Sequence, residues 1–304
     1  MKDYKGSGIP QFPANARVCF LGDSLTASGL WTEIIFEEYL KNCPEKNVRI
    51  YNCGVGTSTA RFAIEHYTED LLTFSPTHIV IMYAGNDINC YSGTLYEKTQ
   101  KFYNDMHELC DIILSHGIKI YFMTAPASHS DDDKPTDVRA ICYVVLRTLA
   151  DEYKTECTDL YKMMTPHLDR ADMIMDDLVH PNALGEAVMA RLFLHSQGFD
   201  GYGPDSVDFL SPVVLKGDGD RRFIFDNKLR RIWLTIANIS TVGDTIDEKI
   251  ETLKEKLTSH NEGRWDDFCY YRAMDFIEMR PNMDFYHQEL ERLTDIMLEK
   301  ANIK

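Results

Sequence analysis

Short apolar runs alternate with helical patterns along the first 200 residues of the chain. The runs cover residues 17–21, 48–52, 78–83 and 118–124, and a shorter run at 157–161 is a candidate fifth strand. The stretch 183–195 has the spacing of a last helix, which Gly198 closes. Strands that alternate with helices predict an α/β fold, a doubly wound three-layer α/β/α sandwich with a parallel sheet.

Beyond about residue 200 the pattern changes to a glycine- and proline-rich linker followed by four amphipathic helical stretches. We therefore predict a first domain over residues 1–200 and, over residues 201–304, a linker with a small helical C-terminal domain. The apolar faces of the four stretches contain Leu229, Ile232, Trp233 and Ile236; Ile246, Ile250, Leu253 and Leu257; positions within 265–279; and Tyr286, Leu290, Leu293 and Met297. We expect these faces to pack against one another or against the first domain, with a lid or a homodimer surface as alternatives.

Composition and charge restrict the class of partner. The chain has 304 residues, 44% of them hydrophobic, which suffices for a full core of a soluble globular protein. The formal net charge of −16 disfavours nucleic acid and anionic membrane surfaces and favours neutral substrates. No apolar run approaches the length of a membrane span, and no basic-then-apolar segment precedes the first strand. We expect a cytoplasmic protein, with secretion as the alternative if a signal peptide has been removed.

The chain contains eight cysteines. Cys19 lies in a predicted strand, Cys110 and Cys142 lie in helical patterns, and no CxxC pair occurs, so we expect reduced, mostly buried thiols. The sequence contains no HExxH motif or similar ligand cluster and therefore predicts no metal site.

The run Gly22-Asp23-Ser24-Leu25 lies where the first predicted strand ends and a helix begins. Such a turn exposes a side chain at the top of a sheet, and the free N–H groups of a helix N-terminus can stabilise an oxyanion. Ser24 is therefore a candidate nucleophile. The alternative is that Asp23 or Ser24 only caps the helix that carries Trp31.

A serine nucleophile needs a base, a group that orients the base, and donors for an oxyanion. Asp177 and His180 stand three residues apart in a short turn, so the carboxylate can reach the imidazole and fix its tautomer. Asn86 follows the third predicted strand and should emerge at the same sheet edge as Ser24. Its side-chain amide can donate to an oxyanion there.

The short motifs around Ser24, Asn86 and His180, together with a glycine-containing motif at residues 52–59, form four sequence blocks. In this order, these blocks resemble those of the SGNH hydrolase family, also called GDSL esterases and lipases. The glycine block at residues 52–59 is one residue shorter than the usual spacing, and Ala84 stands where the family's third block begins with glycine. The matching motifs span Leu21 to Asn182, so the resemblance covers roughly the first 200 residues, and it implies a flavodoxin-like sheet order. The residues it implies are Ser24, Asp177 and His180 as the catalytic triad, and Ser24, Gly56 and Asn86 as the oxyanion hole, with Gly54 as the alternative to Gly56.

Other residues at this edge are candidates for the wall of a pocket: Asp23, Gly54, Asp87, Tyr91 and His129. His129 is also a rival base, since it follows the fourth predicted strand on a polar loop. It lacks a carboxylate at tight-turn spacing, and we therefore prefer His180.

The motifs predict a serine esterase that acts through an acyl-enzyme and requires no cofactor. We expect short acyl groups, such as acetyl, on a neutral carbohydrate. The acidic charge, the lack of an obvious apolar channel near the motifs and the cluster of Tyr83, Tyr91 and Tyr96 favour this substrate. The alternatives are a lipid-type esterase or lysophospholipase, an acyltransferase and a non-catalytic ligand-binding protein. The expected partner is a small-molecule or oligosaccharide ester, with the oligomeric state left open.

Overall fold

The structure of the protein is a computed structural model that describes residues 4–56, 58–126, 138–165, 180–202 and 283–302. Five strands form one sheet in the order β2-β1-β3-β4-β5, and each neighbouring pair is parallel. The strands are β1 (Arg17–Gly22), β2 (Arg49–Gly54), β3 (His78–Met82), β4 (Lys119–Met123) and β5 (Cys157–Thr158). This order is the flavodoxin-like one, so the predicted fold class is confirmed.

Helices connect the strands and cover both faces of the sheet. They are α1 (Ser24–Ala27), α2 (Leu30–Asn42), α3 (Ala60–Asp70), α4 (Asn86–Cys90), α5 (Leu95–Ser115), α6 (Val138–Glu152), α7 (Leu160–Met164), α8 (Ala183–Ser196) and α9 (Met283–Asn302). Two short 3₁₀ turns, Pro44–Lys46 and Leu72–Phe74, precede β2 and β3.

The alternation of side chains along each strand divides the core into two layers. On β1, Cys19 and Leu21 pack with α3, α5 and α6, whereas Val18 and Phe20 pack with α2, α7 and α8. The rings of Phe20 and Trp31 meet edge to face with centroids 4.9 Å apart. Burying a side chain of this size contributes roughly 2–3 kcal/mol, so these layers hold the sheet rigid beneath the turns that follow its strands.

The ends of three strands lie side by side. Gly22 pairs with Gly54 on β2 and with Met82 on β3. A Cβ atom on Gly22 would lie 2.1 Å from the Met82 carbonyl oxygen, and one on Gly54 would lie 2.2 Å from the Ala27 nitrogen. Glycine at both positions therefore lets α1 sit directly against the sheet. The turns after β1, β2 and β3 emerge at one edge, as expected for parallel strands.

Two elements differ from the sequence-based expectation. The helix that carries Trp31 does not begin at Ser24, because Gly29 adopts a left-handed conformation with φ of 83° and separates α1 from α2. Strand β5 has only two residues, because Asp159 accepts a hydrogen bond from the Lys162 N–H at 3.2 Å and caps α7.

The last helix, α9, packs beside the amino-terminal ends of β1 and β2, opposite the edge that carries the turns. Glu291 accepts hydrogen bonds from Arg17 at 2.7 Å, Arg49 at 2.8 Å and the Tyr51 hydroxyl at 2.8 Å. Arg17 and Arg49 are the first residues of their strands, so this carboxylate fixes the position of α9 along the sheet edge.

The apolar stripe predicted for the last helical stretch packs on the first domain. Leu290 and Leu293 are buried, Leu290 within the core layer of α3, α5 and α6, and Met297 packs against the other layer. The other three predicted helical stretches lie outside the described residues, and the division into residues 1–200 and 201–304 stays a prediction.

The described residues include seven cysteines, all free thiols, with Cys19, Cys110 and Cys142 buried. Within the same ranges, no helix combines the length and the apolar character that crossing a membrane requires.

Candidate active site

The turn from β1 to α1 presents Ser24 as the first residue of a helix. Asp23 caps that helix, because its carboxylate accepts the Leu25 N–H at 3.0 Å, and its second oxygen accepts the Ala84 N–H at 2.8 Å. The Ser24 N–H has no acceptor among the described residues. Of the two capping alternatives, Asp23 therefore serves as the cap and leaves the Ser24 hydroxyl for other contacts.

Asp23 is almost completely buried, with 1% of its surface exposed. Burial raises the pKa of its carboxyl, although the N–H groups of Leu25 and Ala84 and the nearby charge of Arg139 act in the opposite direction. Arg139, on α6, is itself buried and donates to the Pro126 carbonyl oxygen at 2.8 Å. Sequence reasoning did not find this arginine, since an isolated cation on a helix gives no motif.

Ser24 and His180 meet although 156 residues separate them. His180 Nε2 lies 2.8 Å from Ser24 Oγ. His180 precedes α8, whose first N–H groups are capped by Asn182, which accepts from Leu184 at 3.0 Å and from Gly185 at 3.1 Å. This cap fixes the start of α8, three residues after His180. Because Nε2 faces the hydroxyl, Nδ1 is the atom that an orienting carboxylate would engage.

The two candidate oxyanion glycines differ in what their N–H groups do. The Gly54 N–H donates to the Asn52 side-chain oxygen at 2.9 Å. The Gly56 N–H has no acceptor within the described ranges, and a Cβ on Gly56 would meet no atom within 4 Å. Gly56 thus lies in open space with a free donor, whereas Gly54 is packed and its donor is occupied.

Asn86 is the first residue of α4, after Gly85 with its φ of 130°. Its side-chain amide donates one hydrogen to the Ser58 carbonyl oxygen at 3.1 Å. Further hydrogen bonds join the same turns, since the Val55 N–H donates to the Gly22 carbonyl at 2.9 Å. The turns after β1, β2 and β3 therefore form one connected unit that carries Ser24, Gly56 and Asn86.

Hydrogen bonds join Asp87 and Tyr91 to each other and to neighbouring elements. Asp87 is fully buried, and its Oδ1 accepts the Ala60 N–H at 2.8 Å. The Tyr91 hydroxyl lies 2.9 Å from Asp87 Oδ1 and 2.6 Å from Asp105 Oδ2. Asp105 is a further residue that the sequence did not single out; its i,i+4 spacing from Lys101 was the available signal, and these two side chains pair at 2.8 Å.

Two of the predicted site residues, Asp177 and His129, lie outside the described residues. Within the ranges that the structure describes, no group of three or more histidine, cysteine, aspartate or glutamate side chains is arranged to hold a metal ion.

Comparison with known proteins assigns the chain to a family. The model of the GDSL-like Lipase/Acylhydrolase family matches residues 20–188, more than half of the chain. The chain belongs to this family and is an ester-hydrolysing enzyme. A search of curated proteins finds no match.

Solved structures share the fold at low identity. A gut microbial diltiazem-metabolizing enzyme is 23% identical with a TM-score of 0.54, over 64% of this chain and 50% of its own, so the match spans half the length of that protein. Axe2, an acetylxylan esterase from Geobacillus stearothermophilus, is 21% identical with a TM-score of 0.53, over 62% of this chain and 96% of its own. An alpha/beta hydrolase from the metagenome of Lake Arreo, Spain, is 18% identical with a TM-score of 0.53, over 65% of this chain and 98% of its own.

Proposed function

We propose that the protein is a serine esterase that cleaves carboxylic esters through an acyl-enzyme on Ser24. The distance of 2.8 Å between Ser24 Oγ and His180 Nε2 carries this proposal. A serine hydroxyl is a weak nucleophile until a base within hydrogen-bond reach can take its proton, and this pair meets that requirement.

In the proposed reaction, His180 Nε2 takes the Ser24 proton as Oγ attacks the ester carbonyl carbon. The protonated imidazole then gives the proton to the departing alcohol, and the acyl group stays on Oγ. Water, deprotonated by the same nitrogen, attacks the acyl carbon, releases the acid and restores the hydroxyl. We assign the orientation of Nδ1 and the stabilisation of the imidazolium to Asp177, from its position three residues before His180.

We assign the oxyanion hole to the N–H groups of Ser24 and Gly56 and the side-chain amide of Asn86. The free donor of Gly56 and the occupied donor of Gly54 favour Gly56. One hydrogen of the Asn86 amide is donated to Ser58, which holds the amide in place and leaves its second hydrogen for the oxyanion.

We further propose short acyl groups on a neutral carbohydrate as the substrate. The net charge of −16 disfavours anionic substrates. The fold is shared with acetylxylan esterases, among them Axe2. Catalytic mutants of Axe2 replace a serine, an aspartate or a histidine by alanine, with the aspartate three positions before the histidine. Asp177 and His180 have the same spacing.

The test is hydrolysis of p-nitrophenyl esters graded from acetyl to palmitoyl, followed by acetate release from acetylated xylo-oligosaccharides. We expect the wild type to prefer acetyl esters and Ser24→Ala to lose activity. Ser115→Ala is the matched control, because Ser115 is an exposed serine at the end of α5 whose hydroxyl donates to Ile112. It should retain wild-type rates.

Each other result contradicts a stated part of the proposal. Hydrolysis of long-chain esters with negligible activity on acetyl esters would identify a lipid-type esterase. Transfer of the acyl group to an added alcohol in preference to water would identify an acyltransferase. Activity that survives Ser24→Ala would exclude Ser24 as the nucleophile, and inactivity towards every ester would favour a ligand-binding protein.

A further inference from the structure

The Tyr91 hydroxyl lies between two carboxylates and has only one proton to donate. It is 2.6 Å from Asp105 Oδ2 and 2.9 Å from Asp87 Oδ1. Both distances are hydrogen-bond distances, but a hydroxyl donates a single hydrogen. The second contact therefore requires another proton, which one of the two carboxyl groups must carry.

The charges around each carboxylate decide where that proton resides. Asp105 pairs with Arg61 and with Lys101, and these cations favour its ionised form. Burial acts to raise the pKa of Asp105, but Lys101, Tyr91 and Arg61 together hold it below its usual value. Tyr91 accordingly donates to Asp105, over the shorter of its two contacts.

Asp87 has the opposite surroundings. It is fully buried, and its Oδ2 has no hydrogen-bond partner within the part of the chain that the structure describes. An ionised carboxylate with an unpartnered oxygen in a buried position is costly, whereas a neutral carboxyl group is not. Burial raises the pKa of Asp87 to about 7, and the nearby Asp23 contributes to the rise. Among the described residues, the titratable and charged groups around Asp87 are Cys90 at the end of α4, Tyr91 directly after it, Asp23 after β1, and, through Tyr91, Asp105 with Arg61 and Lys101.

We propose that Asp87 carries a proton in the working enzyme, donates it to the Tyr91 hydroxyl, and is a positioning residue for the Asn86 amide. No atom of Asp87 reaches the substrate, since the side chain is fully buried. It acts through the loop after β2, because Asp87 accepts the Ala60 N–H at 2.8 Å while Asn86 donates to Ser58 at 3.1 Å. Two neighbouring residues of α4 thus hold the loop that carries Gly56. The catalytic part of this inference rests on the proposed oxyanion role of Asn86.

The proton is tested by the pH dependence of stability, which needs no catalysis. Aspartate is ionised in the unfolded chain above about pH 4, whereas Asp87 in the folded chain keeps its proton up to a pKa of about 7. The stabilisation that protonated Asp87 provides is therefore fully present below the pKa that aspartate has in the unfolded chain. It is lost as pH rises towards the pKa that Asp87 has in the folded chain. Between about pH 5 and 6.5, the unfolding constant of the wild type should rise about tenfold per pH unit relative to that of Asp87→Asn.

Asp151→Asn is the matched control for this measurement. Asp151 lies near the end of α6 with an exposed side chain, and this side chain has no hydrogen bond or ion pair among the described residues. Its unfolding constant should keep the pH dependence of the wild type. Parallel profiles for the wild type and Asp87→Asn would overturn the proposed protonation.

The positioning role is tested by the pH dependence of kcat with an uncharged acetyl ester. The wild type should show a descending limb with a midpoint of about 7 as Asp87 ionises, and Asp87→Asn should lack this limb. Identical kcat profiles, together with different stability profiles, would overturn the positioning role and leave the proton assigned. An inactive wild type would overturn the proposed function, whereas the stability comparison would still test the proton.

A direct titration covers the case in which Asp87→Asn does not fold. In wild-type protein labelled with ¹³C at aspartate carboxyl carbons, the resonance assigned to Asp87 should titrate with a midpoint of about 7, far above the ordinary range for aspartate. If the Asp87 resonance titrates in the ordinary range, the proposal is wrong.

Discussion

Replacing Asn86 by alanine tests the proposed oxyanion hole most directly. We expect Asn86→Ala to lower kcat on an acetyl ester by about 100- to 1,000-fold and to change KM little. The amide hydrogen that remains after the bond to Ser58 would meet an oxygen that becomes negative only after attack. An interaction made only in the transition state affects kcat rather than substrate binding.

The structure separates this effect from a loss of stability. A hundred- to thousandfold change in kcat corresponds to about 2.7–4 kcal/mol in the activation barrier. The only ground-state bond given for the Asn86 side chain among the described residues is the one to Ser58, at 3.1 Å. Losing one such hydrogen bond costs about 1 kcal/mol of folding free energy, which a typical domain with about 5–15 kcal/mol of stability tolerates.

The assay is steady-state hydrolysis of p-nitrophenyl acetate. Urea unfolding of each variant measures its stability and therefore the fraction that is folded under the assay conditions. Asn89→Ala is the matched control, because Asn89 lies on the same short helix, one turn further on, with an exposed side chain. It should keep wild-type kcat. A folded Asn86→Ala variant whose kcat stays within about tenfold of the wild type would refute the oxyanion assignment.

Gly54→Ala should lower the free energy of unfolding by about 2 kcal/mol or more, measured by urea unfolding, because its Cβ would lie 2.2 Å from the Ala27 nitrogen. Gly56→Ala should change that free energy by less than about 0.5 kcal/mol, since a Cβ there meets no atom and the N–H donor is retained; equal losses for both variants would contradict this. Leu290→Ala should lower the free energy of unfolding by about 2–4 kcal/mol, and Glu291→Gln should lower it by about 1 kcal/mol. Both variants should keep the wild-type kcat, because α9 packs at the sheet edge opposite the candidate active site. A fall in kcat for a fully folded variant of either residue would show that α9 acts on the site.

The sheet was predictable because its strands are buried on both faces and therefore read as continuous apolar runs. The prediction for β1 ended one residue before Gly22, where the strand ends in the structure. The break at Gly29 was not found, since an isolated glycine is tolerated inside a helical pattern. The length of β5 was overestimated because the apolar residues Leu160 and Tyr161 extend the run past Asp159, whereas in the structure they begin α7.

The site was predictable only where local motifs carried it. Ser24, Asn86 and His180 were found because each stands in a short motif at the end of a strand or the start of a helix. Asp87 and Tyr91 were expected to line a pocket, and their hydrogen bonds to the Ala60 N–H and to Asp105 depend on packing between α3, α4 and α5. Contacts between elements distant in sequence leave no local pattern, and Arg139 was missed for the same reason.

The docking of α9 means that the core around the sheet includes side chains from this helix as well as from the helices that connect the strands. That core includes Leu290 of α9, and the first two strands share the carboxylate of Glu291. A shortened gene that stops at residue 202 would therefore expose apolar surface and leave two arginines without this partner.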